Sequence, residues 1–188
     1  MIIPARNEER LIGRCLESVR VAAGPYPGQV EVLVVLNRCS DKTEEIAHTF
    51  SARTIREDAR NLAKIRNAGA RLAAGKMLVT IDADSMMSPG TLAAIDRELA
   101  SGTTVGGGTD IRPDRQSAGL RVTLLLFRIL LLIYPISAGL FWCRREDFEA
   151  IGGFNEDLPS GEDLDFARRL KAYGKRVIRW SEVTSRRR

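Results

Sequence analysis

Two carboxylates, Asp82 and Asp84, directly follow an apolar run that is typical of a buried strand. In a parallel sheet, ligands bind outside the carboxyl ends of the strands, so this is a place where a ligand would meet both side chains. Paired carboxylates repel each other unless a cation lies between them, and oxygen-only ligands suit Mg²⁺ or Mn²⁺ together with substrate phosphates. The alternative is a turn pair after a strand. The triplet alone leaves both open, because a second Asp-x-Asp occurs at 163–165.

A second acidic candidate is the segment 160–163, which precedes a helical pattern. Ser-x-x-Asp before an apolar stripe is a capping-box pattern, so the local sequence favours a helix start with Ser160 as its N-cap. The functional interpretation makes Asp163 a general base that faces the site from the other half of the sheet. The helix dipole would keep that carboxylate ionised, which helps it accept a proton but makes it a weaker base.

Three basic residues, Arg6, Lys64 and Arg66, could clamp an anionic ligand. Taken singly, each is more often a solvated residue on a protein surface. The segment 61–69 has polar residues crowded at one end of a helical pattern and small residues after them. This distribution predicts a helix that packs closely beneath a ligand.

The scarce residue types exclude several kinds of site. The chain has one histidine, His48, which nearly rules out a Ser-His-Asp triad or a zinc site that needs several histidines. The three cysteines, Cys15, Cys39 and Cys143, are widely spaced and favour reduced thiols in a cytoplasmic compartment. No signal-peptide pattern opens the sequence. The chemistry must therefore run on carboxylates, basic side chains and backbone amides.

Length and composition are those of one folded domain. The 188 residues are 44% hydrophobic and 28% charged, which allows a sizeable core and is unlike a disordered chain. The net charge of +5 favours anionic partners such as phosphates, nucleic acid or an acidic membrane surface. Aromatic residues make up 6% and are not interleaved with basic ones, so we expect no nucleic-acid partner.

The elements that must position these residues alternate along the first hundred residues. Apolar runs predict strands at 1–3 (ended by Pro4), 30–36, 53–55 and 77–81. Helical patterns lie between and after them, so the order β-α-β-α-β-α-β-α predicts an α/β fold with a mostly parallel central sheet and helices on both faces. Helix starts are predicted at Asn7 as an N-cap and at Ser88 before a proline.

The second half is less regular. The predicted strands are 103–111, 138–143 and 176–180, and the predicted helices are 145–151 and 160–173. Gly106–Gly108 would let another backbone or a ligand approach closely. The apolar run 120–134 is broken by Arg121 and Arg128 and is too short to span a bilayer. A core helix with snorkelling arginines is favoured there over an interfacial helix on anionic lipid.

Taken in order, these motifs resemble the family 2 glycosyltransferases of the Rossmann-like GT-A fold. The resemblance covers essentially the whole chain and rests on segments 2–9, 40–43, 66–69, 82–84, 144–146, 152–154 and 161–165. It implies a single domain, 1–188, with a nucleotide-sugar-binding half at 1–100 and an acceptor-binding half at 101–188.

The resemblance also implies an activity, the transfer of a sugar from a UDP- or GDP-linked donor to a hydroxyl acceptor. Asp84, with Asp82, would ligate Mn²⁺ or Mg²⁺. Asp163 would be the general base, with Glu162 orienting the site, and a base on the opposite face of the sugar favours inversion. The implied donor-binding residues are Pro4, Ala5, Arg6, Glu8, Asn37, Lys64, Arg66, Asp82 and Ala83.

The chain departs from the family pattern in two places. Asn37 stands where an acidic residue is usual, and the tail 183–188 lacks the late histidine that many members carry. One alternative is a sugar-nucleotidyltransferase, which is disfavoured because no glycine-rich loop follows the first strand. Another is a non-catalytic nucleotide-sugar-binding protein, which is disfavoured because Asp84 and Asp163 are both present. We expect a cytoplasmic protein, with a peripheral position on the inner face of the membrane and a lipid-linked acceptor suggested by the apolar run and the basic tail.

Overall fold

The fold is taken from a computed structural model, which describes residues 1–102, 104–113, 140–174 and 181–187. The predicted helix at 120–134 and the predicted strand at 176–180 lie outside the described residues. Among the helices that are described, none has the length and apolar character needed to cross a membrane.

Eight strands within the described ranges form one sheet, in the spatial order β3-β2-β1-β4-β7-β6-β8-β5. Their bounds, from β1 to β8, are Ile2–Ala5, Leu33–Leu36, Arg53–Arg56, Met77–Ile81, Ser85–Met87, Gly106–Pro113, Leu140–Arg144 and Ser181–Arg187. Four of the seven neighbouring pairs are parallel: β1–β2, β1–β4, β2–β3 and β6–β8. The chain order reverses beside β1, where β4 follows on the other side from β2, and open sheets of this kind bind ligands at such a point.

Helices cover both faces of this sheet, as the sequence predicts. In the described part of the chain the helices α1 to α6 are Ile12–Ala22, Thr43–Thr49, Leu62–Leu72, Thr91–Ala100, Arg145–Ala150 and Glu162–Tyr173. Alternate residues of a strand point to opposite faces, so Ile3 and Val34 pack with α1, α2 and α4. Ile2 and Leu33 pack with α3, α5 and α6 on the other face. The site residues therefore belong to two packed layers that share one sheet.

The predicted strand positions are largely confirmed, with one instructive difference at Pro4. The sequence predicts that Pro4 ends the first strand, but β1 continues through Ala5, with Pro4 opposite Val35 of β2. Pairing of β1 with β4 is confined to Ile2 and Thr80. A proline without an N–H is tolerated there because the ladder on that side has already ended.

All three predicted helix caps are wrong. Helix α4 has Gly90 at its N-cap and begins at Thr91, so Ser88 and Pro89 lie before the helix and do not start it. Helix α1 begins at Ile12, and Asn7 lies five residues earlier with a positive φ of 54°. Its side-chain oxygen accepts a hydrogen bond from the backbone N–H of Ser40 at 2.8 Å, so it fastens two loops together. Helix α6 has Gly161, with φ 78°, at its N-cap and no side-chain cap, so Ser160 does not play the predicted role.

The predicted close approach at Gly106 is confirmed. A Cβ atom added there would lie 2.5 Å from the carbonyl oxygen of Trp142 and 2.8 Å from Cδ2 of Leu170. Gly69 on α3 is similarly constrained, since its Cβ would lie 2.5 Å from Cγ2 of Ile2. This close contact seats α3 directly on the sheet, next to the edge where the polar residues gather.

Candidate active site

Helix α3 is anchored to the second half of the chain at its N-terminus. The side chain of Asn61 caps the helix by accepting from the N–H of Lys64 at 3.0 Å. Its amide nitrogen donates to the carbonyl oxygens of Glu156 and Leu158, each at 3.0 Å. The same residue therefore starts the helix and holds the loop that leads to α6.

Arg66, one turn into α3, joins the two acidic motifs. Its side chain is 2% exposed. One guanidinium nitrogen donates to Oδ1 of Asp82 at 3.1 Å, and the other donates to Oε1 of Glu162 at 3.2 Å and to Oδ1 of Asp163. Two residues that lie about eighty positions apart in sequence, Asp82 and Asp163, are thus bound to the same cation.

Burial of this arginine is compensated by its surroundings. A buried charge is tolerated when it is paired and hydrogen-bonded, and three carboxylates satisfy that condition for Arg66. The guanidinium also lies 5.3 Å from the ring centre of Phe154 and 5.8 Å from that of Phe141. Three carboxylates around one cation leave an excess of negative charge, which suits a site that receives further positive charge or a proton.

The environment of Asp163 makes it a stronger base than an ordinary aspartate. Burial, together with the neighbouring negative charges of Glu162 and Asp82, raises the pKa of Asp163 to about 6 against the opposing effect of Arg66. A carboxyl with this pKa is ionised at neutral pH and accepts a proton more readily than one with a pKa near 4. These properties fit a general base.

Asp82 and Asp84 follow β4 in a tight turn, in which the N–H of Ser85 donates to the carbonyl oxygen of Asp82 at 3.0 Å. The thiol of Cys15 donates to that same oxygen at 3.7 Å, and burial raises the pKa of this thiol. The hydroxyl of Ser85 donates to Oδ1 of Asp84 at 3.3 Å. Both side chains are half-buried. The triplet therefore forms a turn and also leaves carboxylate oxygens accessible to a ligand.

The carboxylate oxygens at this turn are compatible with binding of a hard divalent cation. Mg²⁺ and similar ions are held by one or two carboxylates and completed by waters and substrate phosphates. Asp82 and Asp84 supply that number of carboxylates. Across the described ranges, no group of three or more histidine, cysteine or acidic side chains converges to hold an ion by itself. The predicted metal ligands therefore fit an ion that a phosphate ligand completes.

The loop after β1 is bound to the loop after β2. The carbonyl oxygen of Ala5 accepts from the N–H of Asn37 at 2.8 Å, and the N–H of Glu8 donates to the hydroxyl of Thr43 at 2.8 Å. Pro4 is half-buried and Arg6 is exposed on this rim. The predicted donor-binding residues of β1 thus lie at one carboxyl edge of the sheet.

Asn37 and Lys64 occupy contrasting positions. Asn37 is buried, and its amide nitrogen donates to the carbonyl oxygens of Glu57 at 2.6 Å and Ala59 at 2.8 Å. Its side chain therefore holds the loop after β3. Lys64 is exposed near the start of α3, and Ala83 is buried beneath the Asp82–Asp84 turn. Their predicted roles in donor binding stay predictions.

Two positioning contacts escape analysis of the sequence. Asn67 donates to the carbonyl oxygen of Phe154 at 2.9 Å and accepts from the N–H of the same residue at 3.0 Å. Arg169 pairs with Asp165 at 2.6 Å and donates to the carbonyl oxygens of Ile151 and Gly153, both at 2.7 Å. These contacts fix the turn before α6. Local patterns do not reveal the bonds to backbone groups, which lie far away in sequence, and only the i, i+4 pair of Asp165 with Arg169 could have been found from spacing.

Comparison with known families gives a consistent result. The family model described as glycosyl transferase family 2 matches residues 1–152, and one described as the N-terminal domain of galactosyltransferase matches residues 121–188. A comparison with curated proteins finds no match.

Solved structures resemble the chain over nearly all of its length. A mannosyltransferase, PcManGT from Pyrobaculum calidifontis in complex with GDP-Man and Mn²⁺, is 27% identical with a TM-score of 0.80, covering 98% of this chain and 55% of its own. Staphylococcus aureus TarS 1–349 in complex with UDP-GlcNAc is 21% identical with a TM-score of 0.77, covering 100% of this chain and 58% of its own. Glucosyl-3-phosphoglycerate synthase from Mycobacterium tuberculosis, with Mn²⁺ and UDP-Glc, is 22% identical with a TM-score of 0.63, covering 90% of this chain and 64% of its own. The chain thus spans between about half and two thirds of the length of these proteins, and all three support the GT-A fold.

Proposed function

We propose, from the premise that this chain belongs to glycosyl transferase family 2, that it transfers a sugar from a nucleoside-diphosphate donor to a hydroxyl acceptor. The donor is a UDP- or GDP-sugar. The half 1–100 binds the nucleotide sugar, and the half 101–188 binds the acceptor. The observation that carries this proposal is the shared contact of Asp82 and Asp163 with Arg66. It brings the Asp82–Asp84 turn, which we call the donor-side turn, next to the carboxylate that is proposed as the general base.

In this proposal Asp163 removes the proton from the acceptor hydroxyl. The acceptor oxygen then forms a bond to the anomeric carbon, while the bond from that carbon to the phosphate oxygen breaks and the nucleoside diphosphate leaves. The proton ends on the carboxylate of Asp163, whose pKa near 6 allows it to be released afterwards at neutral pH. Attack from the face opposite the leaving group inverts the anomeric configuration.

The leaving diphosphate requires positive charge, and the chain supplies a place for it. Asp84 and Asp82 would hold Mn²⁺ or Mg²⁺, and such an ion, when bound, stabilises the negative charge that develops on the diphosphate. The exposed Lys64 and Arg6 lie on elements that border this edge and add positive charge to it. Glu162 is buried beside Asp163 and accepts a hydrogen bond from Arg66. Through this contact it holds Arg66, and with it Asp82 and Asp163, in place.

The nucleoside is assigned to the rim formed by Pro4, Ala5, Glu8 and Asn37. This rim lies at the carboxyl edge of β1 and β2, beside the point where the strand order reverses. Asn37 acts there through the loop it holds, because its amide nitrogen already donates to two backbone carbonyls.

For its location, the sequence suggests the cytoplasm, with the protein bound peripherally to the inner face of a membrane. It suggests a lipid-linked acceptor there. The net charge of +5 would favour an anionic surface. Flotation with anionic liposomes at low salt tests this part separately. Protein that stays at the bottom of the gradient would contradict it and would leave the transfer reaction untouched.

Thermal unfolding with a panel of nucleoside diphosphates tests the donor site. The chain and its D84A variant are each heated with and without Mn²⁺, because a ligand that binds the native state raises the midpoint. We expect one nucleotide to raise the midpoint only with the metal, and the variant to lose that rise.

Release of that nucleotide from its sugar conjugate, in the presence of an alcohol acceptor, then tests the reaction itself. Binding without turnover across a panel of acceptors would favour a non-catalytic nucleotide-sugar-binding protein. Absence of both binding and turnover would overturn the proposal.

A further inference from the structure

We infer that Arg66 is a positioning residue, which holds the base Asp163 in register with the donor-side turn and does not itself grip the diphosphate. The inference rests on the proposed function in one respect, the assignment of Asp163 as the base. It changes the role of Arg66 from a ligand of the donor to a bridge between the two halves of the site.

The geometry of the guanidinium supports this role. Arg66 extends from α3 and contacts three carboxylates on two other parts of the chain, the turn after β4 and the first turn of α6. A planar guanidinium fixes the relative direction of its partners, which an ammonium group cannot do. The side chain is 2% exposed, and its two terminal nitrogens donate to protein carboxylates.

The charges around Asp163 give Arg66 a second effect. Asp163 faces Arg66 from α3, Glu162 from its own helix and Asp82 from the end of β4. Arg66 is the cation in this group, and it favours the ionised form of Asp163 against two like charges. Without it, Asp163 would lose both its orientation and its counter-charge.

The structure also argues against direct contact with the donor. Two of the guanidinium nitrogens donate to carboxylates, and Nε is buried with no hydrogen-bond partner among the described residues. The faces of Phe141 and Phe154 lie within 6 Å of the guanidinium carbon. A diphosphate would have to displace a carboxylate to reach this group, whereas Lys64 on the same helix is already exposed.

Two substitutions separate geometry from charge. R66Q removes both, and R66K keeps the positive charge but loses the fork. The matched control is R71Q on the same helix, since Arg71 is 62% exposed and pairs only loosely with Glu156 at 3.5 Å. Thermal midpoints of all variants report whether they fold, and R66K provides the test if R66Q does not.

The first readout does not require enzyme activity. The carboxyl carbon of Asp163 is followed by NMR against pH, with D163N used to assign its signal. We expect R66Q to raise the pKa of Asp163 by about 1 or more, R66K to leave it near the native value and R71Q to leave it unchanged. An unchanged pKa in R66Q would overturn the inference, and this result stands even if the chain transfers no sugar.

The second readout separates positioning from donor binding. We expect both Arg66 variants to keep the dissociation constant of the nucleoside diphosphate within about threefold, while kcat falls about 100-fold, the loss that a misplacement of about 1 Å can cause. A tenfold or greater loss of nucleotide affinity with native kcat would make Arg66 a donor ligand and would contradict the inference. Failure of the native chain to transfer sugar would count against the proposed function alone.

Discussion

The two Asp-x-Asp triplets of this chain, 82–84 and 163–165, have the same local pattern and different surroundings. The first lies in a turn after β4, where both carboxylates are half-buried at the edge of the sheet. The second lies in the first turn of α6, where Asp163 contacts Arg66 and Asp165 contacts Arg169. The same Asp-x-Asp spacing therefore places two carboxylates together in one case and separates them in the other.

Backbone geometry explains the division. Residues two positions apart on a helix point about 200° away from each other, because each residue turns the helix by about 100°. Asp163 and Asp165 therefore cannot share an ion, whereas a turn places no such restriction on Asp82 and Asp84. The comparison teaches that the element beneath a motif decides which of its side chains can cooperate.

The largest expected effect comes from D163N compared with D165N. Loss of the base should reduce kcat by about 100-fold to 10,000-fold, with nucleotide affinity retained. D165N should keep its kcat per folded molecule, because Asp165 supports the turn before α6 and does not face the site. The comparison would be broken by equal losses of kcat in both variants, measured as product formed at saturating donor.

The next effect concerns the first triplet. D84N should weaken nucleoside-diphosphate binding in Mn²⁺ at least tenfold, because even the loss of an outer-sphere partner typically costs about 10-fold to 100-fold in metal affinity. The same variant should bind like the native chain when the metal is removed by a chelator. Titration calorimetry measures both affinities, and D165N serves as the matched control. A metal-independent loss in D84N would indicate a structural role for this carboxylate.

The pH profile sharpens the difference between the triplets. Since the pKa of Asp163 is raised to about 6, kcat should fall about tenfold for each pH unit below 6 and level off above it. The folded state holds the extra proton between about pH 4 and 6, so this carboxyl lowers stability as the pH rises through that window. D163N should flatten the corresponding slope in the thermal midpoint. D165N should leave both profiles as they are.

Sequence patterns are sufficient for the alternation of strands and helices and for the acidic residues at the edge of the sheet. Met77–Ile81 has the predicted bounds because it is a short apolar run, interrupted only by the β-branched Thr80, as expected of a buried strand. Patterns are insufficient for Asn7 and Ser160, whose side chains were predicted to cap helices. Asn7 instead joins two loops, and Gly161, with a positive φ, takes the N-cap position predicted for Ser160. Neither feature can be read from the spacing of nearby residues.

The contacts of Arg66 could not be predicted for a different reason. The sequence marks it as a cation near a ligand, and its position on a helix allows either exposure or burial. Only the packing of Phe154 against Phe141 of β7, together with the approach of α6, encloses it. Such long-range packing depends on the whole layer and is not visible in a segment of ten residues.

A smaller effect is expected at the partner of the second triplet. R169A removes one ion pair and two hydrogen bonds to backbone carbonyls, which should lower the free energy of unfolding by about 1 to 3 kcal/mol. Urea denaturation measures this loss. The pKa of Asp163 should remain near 6, because Arg169 does not contact it. A large change in that pKa would show that Asp163 and Asp165 are coupled, which would contradict their separate roles.

The smallest effect is expected for R20A, which removes an exposed pair with Glu17 on α1. Pairs between solvent-exposed side chains contribute little, since water screens them and ordering two long side chains costs entropy. We expect no measurable change in thermal midpoint, nucleotide affinity or pH profile. A clear change in any of them would mean that the exposed face of α1 is coupled to the site.

The hold of α3 on the turn before α6 has a consequence for recombining members of this family. Asn61, Arg66 and Asn67 each donate a hydrogen bond to an atom of segment 154–163, so the two stretches form one structural unit although they lie far apart in sequence. A chimera whose crossover point separates them would pair a helix from one parent with a turn from another. Libraries that exchange residues 101–188 should therefore transplant segment 61–72 together with 151–165, so that the turn before α6 arrives with the helix that holds it.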